Sequence, residues 1–114
     1  MEVLKVSSKS NPNKVAGAIA GVLSKTNQVE LQAIGAGAVN QAVKAVAIAS
    51  RFLDERGTSI TMVPGFVEIA IGEEMRTGIS FKVVADKKEQ SEKKEETEAS
   101  KDTHVAEQET EELD

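Results

Sequence analysis

This chain of 114 residues contains no cysteine, tryptophan or tyrosine, and its single histidine is His104. The lack of cysteine excludes disulfide bonds and thiol chemistry, and it leaves few of the ligands that a zinc site uses. No stretch approaches the roughly 20 apolar residues that cross a bilayer. The first ten residues, MEVLKVSSKS, have too short an apolar run for a signal peptide. We therefore expect a cytoplasmic protein without a metal site or a membrane contact.

Groups that support catalysis or cofactor binding are equally scarce. His104 falls in a strongly charged segment, where a base would have no fixed geometry. The phosphate-cradling motif that ends in Gly-Lys-Ser/Thr is absent, and Asn40 stands where a dinucleotide fingerprint beginning at Gly35 and Gly37 would need a third glycine. We expect no enzymatic activity, no cofactor and no small-molecule substrate.

Charge divides the chain into two parts. Residues 1–86 carry nine Lys/Arg and eight Asp/Glu, whereas residues 87–114 carry five and eleven. The second part has only Val105 and Leu113 as branched aliphatic residues, so it cannot bury enough apolar surface to offset the entropy of ordering it. We expect one small domain over residues 1–86 and a disordered acidic tail over residues 87–114. An intermittent helix is the alternative for the tail, because Glu, Lys and Gln are good helix formers.

Apolar spacing in the first part predicts alternating strands and helices. The N-terminal half reads as a strand, a helix capped by Asn11, a second strand, and a long helix ended by Gly57. The remainder has strand composition on both sides of a bend or turn at Pro64-Gly65, followed by a hairpin tip at residues 72–75 and a last alternating strand. The predicted strands are residues 3–6, 29–34, 59–63, 66–71 and 77–84, and the predicted helices are residues 12–25 and 38–55.

This order favours an α+β fold of two layers, β-α-β-α-β-β, with a mixed sheet and both helices on one face. We expect all three phenylalanines, Phe52, Phe66 and Phe81, to occupy core positions. In the first helix, Gly17 and Gly21 lie four residues apart and predict close packing against a neighbouring element. In the second helix, Val39, Val43, Val46 and Leu53 share one side, next to a strip of alanines at positions 38, 42, 45 and 49.

Ile48 falls among the polar residues of the second helix. A single exposed isoleucine is ordinary, but it also fits a contact between subunits. We keep Ile48 as a candidate for self-association.

Loops that leave parallel strands lie on the same edge of a sheet, so residues 7–13 and 35–38 predict a shared edge. Helix N-termini, hydroxyls and lysines at such an edge can contact phosphates without reading bases. The candidate nucleic-acid-binding residues are Ser8, Lys9, Ser10, Asn11, Lys14, Gly35, Gly37, Asn40 and Lys44. The alternative is purely structural: Asn11 caps a helix, the glycines make turns, and the lysines are solvated.

Two runs resemble the stage V sporulation protein S family of bacteria: Lys5-Val6-Ser7 with residues 11–21, and residues 34–45, IGAGAVNQAVKA. The similarity spans residues 1 to 86 and leaves the acidic tail outside. The resemblance implies a fold related to the Alba-type nucleic-acid-binding proteins, which tend to dimerise, and a regulatory role in sporulation or a related developmental programme. It also implies that Lys9 occupies the basic first β-α loop of that group. The second such loop, basic in the wider group, is Gly-Ala-Gly-Ala here.

The sequence leaves two functions open. One is an Alba-like module that binds DNA or RNA through a basic loop edge, as a homodimer or higher homo-oligomer. The other is a protein-interaction adaptor that acts by self-association or partner binding without nucleic acid. In the first case, the acidic tail could occupy the basic edge of its own chain and weaken nucleic-acid binding.

Overall fold

The computed structural model describes residues 1–87, which form two helices and four strands. The strands lie side by side in the order β1-β2-β4-β3. The element bounds are β1 Val3–Val6, α1 Pro12–Leu23, β2 Gln28–Ala33, α2 Ala36–Glu55, β3 Thr58–Ile71 and β4 Glu74–Lys87. The predicted β-α-β-α-β-β order is therefore confirmed. The expected tail lies outside the described residues from position 88 onward.

Each helix begins where local chemistry permits it. The side-chain Oδ1 of Asn11 accepts a hydrogen bond from the Asn13 N–H at 2.9 Å, and Pro12 occupies the first helical position of α1. Gly35 precedes α2 with a φ of 92°, a backbone conformation that residues with a side chain rarely adopt. Helix α2 begins at Ala36, two residues earlier than predicted, so Gly37, a weak helix former, lies in its first turn.

The sheet is mixed, as predicted. Strand β1 pairs with β2 in parallel, with Val6 opposite Ala33. Strand β4 pairs antiparallel with both β2 and β3, so it lies inside the sheet, with Leu31 opposite Phe81. The crossover through α1 joins the two parallel strands, which places the carboxyl ends of β1 and β2 at one edge.

The core lies between one face of the sheet and the two helices. On α2, the four alanines of the predicted strip are at most 2% exposed. Small side chains at these positions let the helix backbone approach the sheet, where Val29, Leu31, Phe81 and Val83 are buried. The alanine strip, defined as residues 38, 42, 45 and 49, is therefore the centre of the buried face of α2.

The C-terminal hairpin differs from the prediction of two strands separated by a bend. Strand β3 continues through Pro64 and Gly65 as one strand of 14 residues. Proline lacks an N–H, but an edge strand such as β3 has one side without ladder partners and tolerates it. The turn is the two residues Gly72 and Glu73, with a φ of 61° at Gly72, as a type II′ turn requires at its first central residue.

Several expected core positions are wrong. Phe81 is buried, but Phe66 is 84% exposed and Phe52 is 42% exposed. Phe66 lies opposite Ile79 on the edge strand β3, and no described residue covers its side chain, although Ala33 at the same level of β2 is buried. Val43 is also exposed, because the buried side of α2 is centred on the alanine strip and not on the valines.

Two expectations about the outer helix surfaces also need correction. Gly17 and Gly21 are exposed, and a Cβ built on either residue meets nothing within 4 Å, so they do not serve close packing among the described residues. Ile48 is half-buried and packs against the core. The flank of α2 that carries Ile48 also carries Gln41, which contacts the loop before α1, so that flank faces α1.

Candidate functional site

The loops after β1 and β2 meet at the carboxyl edge of the two parallel strands. The Gln41 Nε2 of α2 donates a hydrogen bond to the Ser10 carbonyl oxygen at 2.9 Å. A Cβ built on Gly37 would lie 2.9 Å from the Ser8 Cβ, so the two segments touch. We call residues 7–11 and 34–37 together the loop rim. The two loops are therefore adjacent, as the sequence predicts.

The first loop is held by its own hydrogen bonds. The Ser7 N–H donates to Ser10 Oγ at 2.9 Å, the Lys9 N–H donates to Ser7 Oγ at 3.2 Å, and the Ser10 N–H donates to the Ser7 carbonyl at 3.1 Å. Asn11 caps α1. Of the candidate residues, Ser10 and Asn11 therefore have structural roles, and the bonds between Ser7 and Ser10 fix the backbone of Ser8 and Lys9, which lie between those two serines.

The three candidate lysines are all exposed, and none has an ion pair within residues 1–87. Lys9 is in the loop rim itself, and Lys14 is the third residue of α1. Lys44 is eight residues beyond the start of α2, which is about 12 Å along the helix. Asn40, one turn into α2, is exposed as well. The structure thus brings Ser8, Lys9 and the glycines together and sets Lys44 farther back.

A groove of about 330 Å³ adjoins the loop rim on the side of the sheet away from the helices. Its polar lining comes from Lys5 and Gln32, which lie opposite each other in the β1–β2 register, and from Ser7 and Ser8. Its apolar wall comes from Ile34 and from the last residues of β3, Ile69, Ala70 and Ile71. Sequence reasoning missed Lys5 and Gln32. The alternation of β1 and β2 was the available signal, because it puts both side chains on the face opposite Val6 and Ala33.

Glu30 lies on the same open face and is ionised more readily than usual. Gln32 Nε2 donates to Glu30 Oε2 at 3.0 Å, and Ser80 Oγ donates to the same oxygen at 2.8 Å. These hydrogen bonds, with a smaller contribution from the positive charge of Lys82, hold the pKa of Glu30 below its usual value of 4.5, although partial burial acts in the opposite direction. The open face therefore carries a fixed negative charge beside the groove.

The hairpin extends beyond the carboxyl ends of β1 and β2, since β4 pairs with β2 only from Ile79 onward. Its turn carries Glu73, and Glu74 and Arg76 follow on β4. No group of three or more metal-ligating side chains occurs among the residues that the structure describes. Within that same part of the chain, neither helix is long and apolar enough to cross a membrane.

This arrangement of two helices on one face of a β1-β2-β4-β3 sheet is an Alba-type fold. The solved structure of Alba from Thermoplasma volcanium matches it with a TM-score of 0.51 and 12% sequence identity, over 75% of this chain and 100% of that chain. The chain belongs to the stage V sporulation protein S (SpoVS) family, whose model matches residues 2–86. The resemblance found in the sequence is thereby confirmed, and family membership implies a sporulation-related role.

Proposed function

We propose that this protein is a non-enzymatic regulator in sporulation or a related developmental programme that binds DNA or RNA through the phosphate backbone at its loop rim. The observation that carries this proposal is the contact between the two β-α loops, through Ser8 and Gly37 and through Gln41 and Ser10. This contact brings the N-termini of α1 and α2 to one edge, and Lys9, which has no ion pair among residues 1–87, lies in the loop beside them.

The chemistry of the rim suits phosphate more than bases. Amides at a helix N-terminus and a lysine both favour an anion. The loop hydrogen bonds hold the backbone of Ser8 and Lys9 in place before any ligand binds, which lowers the cost of ordering the loop. No described aromatic side chain belongs to the rim, so stacking on bases is not part of the proposal. We expect binding that is salt-sensitive and nearly independent of sequence.

Charge at the hairpin limits the strength of this interaction. Glu73 in the turn and Glu74 at the start of β4 are exposed on the part of the hairpin that reaches past the rim, and Arg76 is a nearby cation. A duplex long enough to meet both the rim and the hairpin would bring phosphates toward these carboxylates. We therefore propose moderate affinity.

Fluorescence anisotropy with the full chain tests the proposal. Labelled DNA and RNA of matched length, single-stranded and duplex, would be titrated at low salt. Replacing Lys9 and Lys14 with alanine should weaken binding several-fold and about equally for all sequences. The double variant Lys25→Ala with Lys87→Ala is the matched control, because both lysines are exposed and lie at the opposite edge, after α1 and at the end of β4. No binding of either nucleic acid, or equal losses in the control, would refute the proposal.

A second candidate function, an adaptor that associates with a second copy, is favoured by one apolar surface. Phe66 is 84% exposed on the helix-bearing side of β3, and Val43 is 42% exposed on α2. Gln41 and Ile48 mark the flank of α2 that faces α1, so Val43 is on the opposite flank, toward β3. This surface, and not the half-buried Ile48, is the better place for a homodimer contact.

Mass measurement by light scattering over a range of concentrations tests self-association. Phe66→Ser should shift the protein toward monomer, whereas Phe52→Ser, on the α1 side, should not. A wild-type protein that stays monomeric at high concentration would remove the dimer from the proposal.

The cytoplasmic location expected from the sequence also stays a prediction.

A further inference from the structure

Strand β1 is an edge of the sheet, and half of its main-chain groups face away from β2. The Glu30 N–H donates to the Glu2 carbonyl at 3.0 Å, which fixes the side of the strand used for pairing. Because alternate residues of a strand direct their main-chain groups to opposite edges, those of Leu4 point toward β2. Those of Val3 and Lys5 point outward, and no strand within residues 1–87 pairs with them.

A groove of about 280 Å³ runs beside this free edge, between β1 and α1. Leu4 and Val15 contribute half-buried apolar surface to it, while Lys5 and Lys14 are exposed and without an ion pair among residues 1–87. A lysine on an edge strand by itself serves to block further pairing. An open edge combined with a lined groove next to a helix is instead the arrangement in which an extended peptide adds a strand to a sheet.

The charge of the groove calls for an acidic peptide, and the chain carries one. Residues 107–114, EQETEELD, have five acidic side chains and no basic one. Lys82 of β4, Glu30 of β2 and Val3 of β1 lie side by side in the sheet. Lys87, the last residue of β4, is therefore five residues along the strand direction and two strands across from Val3. That separation is about 20 Å. The intervening residues 88–106 can span up to about 65 Å, so the segment can reach the groove of its own chain.

We propose that residues 107–114 add to the free edge of β1 within the same chain, with their carboxylates against Lys5 and Lys14. The docked segment covers Lys14 and lies next to the loop rim. It therefore competes with any polyanion bound there, and this consequence alone rests on the proposed function. The docking itself is a separate claim about β1.

Amide hydrogen exchange on the full chain, without nucleic acid, tests the docking. Glu107, Glu109, Glu111 and Glu112 would be changed to Gln together. The matched control changes Glu92, Glu95, Glu96 and Glu98 to Gln, which alters the net charge equally. We expect the Val3 and Lys5 amides to exchange at least threefold faster in the first variant than in the wild type at low salt, and at the wild-type rate in the control. The Leu4 amide, which faces β2, is an internal reference.

Equal exchange of Val3 and Lys5 in all three proteins would overturn the proposal. Equal acceleration in both variants would also overturn it, because it would indicate attraction by overall charge and not by residues 107–114. Protection that rises with protein concentration would assign the docked segment to a second copy and overturn docking within the chain. None of these outcomes depends on whether the loop rim binds nucleic acid.

Discussion

Gly37 at the start of α2 lies directly against Ser8 in the loop after β1, so close that a Cβ on Gly37 would be 2.9 Å from the Ser8 Cβ. This distance is shorter than real Cβ atoms tolerate. The absence of a side chain at position 37 is therefore what allows the two halves of the loop rim to touch. Gly17 in α1 is the opposite case, because a Cβ there would meet nothing within 4 Å.

The two glycines make a matched pair of alanine substitutions. Gly17→Ala should stabilise the protein by up to about 1 kcal/mol, since alanine is the better helix former at an open site. Gly37→Ala should lower the free energy of unfolding by about 1–2 kcal/mol, because Ser8 must move away. Urea denaturation of both variants measures the difference. A Gly37→Ala protein as stable as Gly17→Ala would show that the loop adjusts without cost.

A second pair of glycines tests the sheet. A Cβ on Gly78 would lie 2.8 Å from the Ala33 carbonyl oxygen and 2.8 Å from Ile69 Cδ1, whereas one on Gly65 meets nothing within 4 Å. Gly78→Ala should cost about 1–3 kcal/mol, because a backbone oxygen cannot easily move aside. Gly65→Ala should change stability by less than about 0.5 kcal/mol. Thermal unfolding of the two variants checks this, and equal melting temperatures would contradict it.

The order of helices and strands could be predicted from the sequence. The course of β3 and the exposure of its side chains could not. Asn11-Pro12 and Gly57 correctly predicted helix ends, because capping depends only on residues a few positions away in the sequence. Pro64 misled the strand prediction, because its effect depends on whether the strand is an edge, and that is a property of the whole sheet. Phe66 was placed in the core on hydrophobicity alone, although no described residue covers its side chain.

The candidate site was predictable to a similar degree. The meeting of the two loops follows from the β-α-β rule, which needs only the element order. The structural roles of Ser10 and Asn11 depend on exact loop geometry, and so does the groove formed by Lys5, Gln32 and the end of β3. The distance of Lys44 from the rim is a matter of helix length and was calculable from the start.

The hydrogen bonds to Glu30 predict a dependence of stability on pH. The folded state holds the pKa of Glu30 below 4.5, so ionised Glu30 stabilises the folded protein above that value. This stabilisation is lost as the pH falls from about 4.5 through the lower folded pKa. Glu30→Gln should therefore be less stable than wild type at pH 7, by under about 1 kcal/mol, and the difference should shrink below pH 4.

Urea denaturation at a series of pH values measures this effect. Ser80→Ala removes one of the two donors to Glu30 and should reproduce part of it. A difference between Glu30→Gln and wild type that stays constant from pH 7 to pH 3 would contradict the assignment to ionisation.

Salt dependence separates Lys9 from lysines that only add general charge. If Lys9 contacts one phosphate, Lys9→Ala should reduce the slope of log affinity against log salt by about 1. Lys25→Ala should leave that slope unchanged. Anisotropy titrations between 20 and 200 mM salt, about one tenfold range, give both slopes. Parallel slopes for wild type and Lys9→Ala would exclude a direct contact.

Replacing Phe81 or Phe66 with alanine should have very different effects on the free energy of unfolding. Phe81→Ala should cost about 3–5 kcal/mol, since Phe81 is 3% exposed in the core. Phe66→Ala should change the stability of a monomer by less than about 0.5 kcal/mol. Denaturation at low and high protein concentration separates the two contributions. A concentration-dependent loss for Phe66→Ala would indicate a contact between copies, whereas a large loss at every concentration would contradict its exposed position.

The alanine strip of α2 sets how closely that helix packs against α1 and the sheet, and this spacing has a remote effect. Gly35 and Gly37 stand at the start of the same helix, so any side chain larger than alanine at position 38, 42, 45 or 49 would lift half of the loop rim away from the other half. The geometry of the loop rim is thus dictated by four methyl groups that lie outside it.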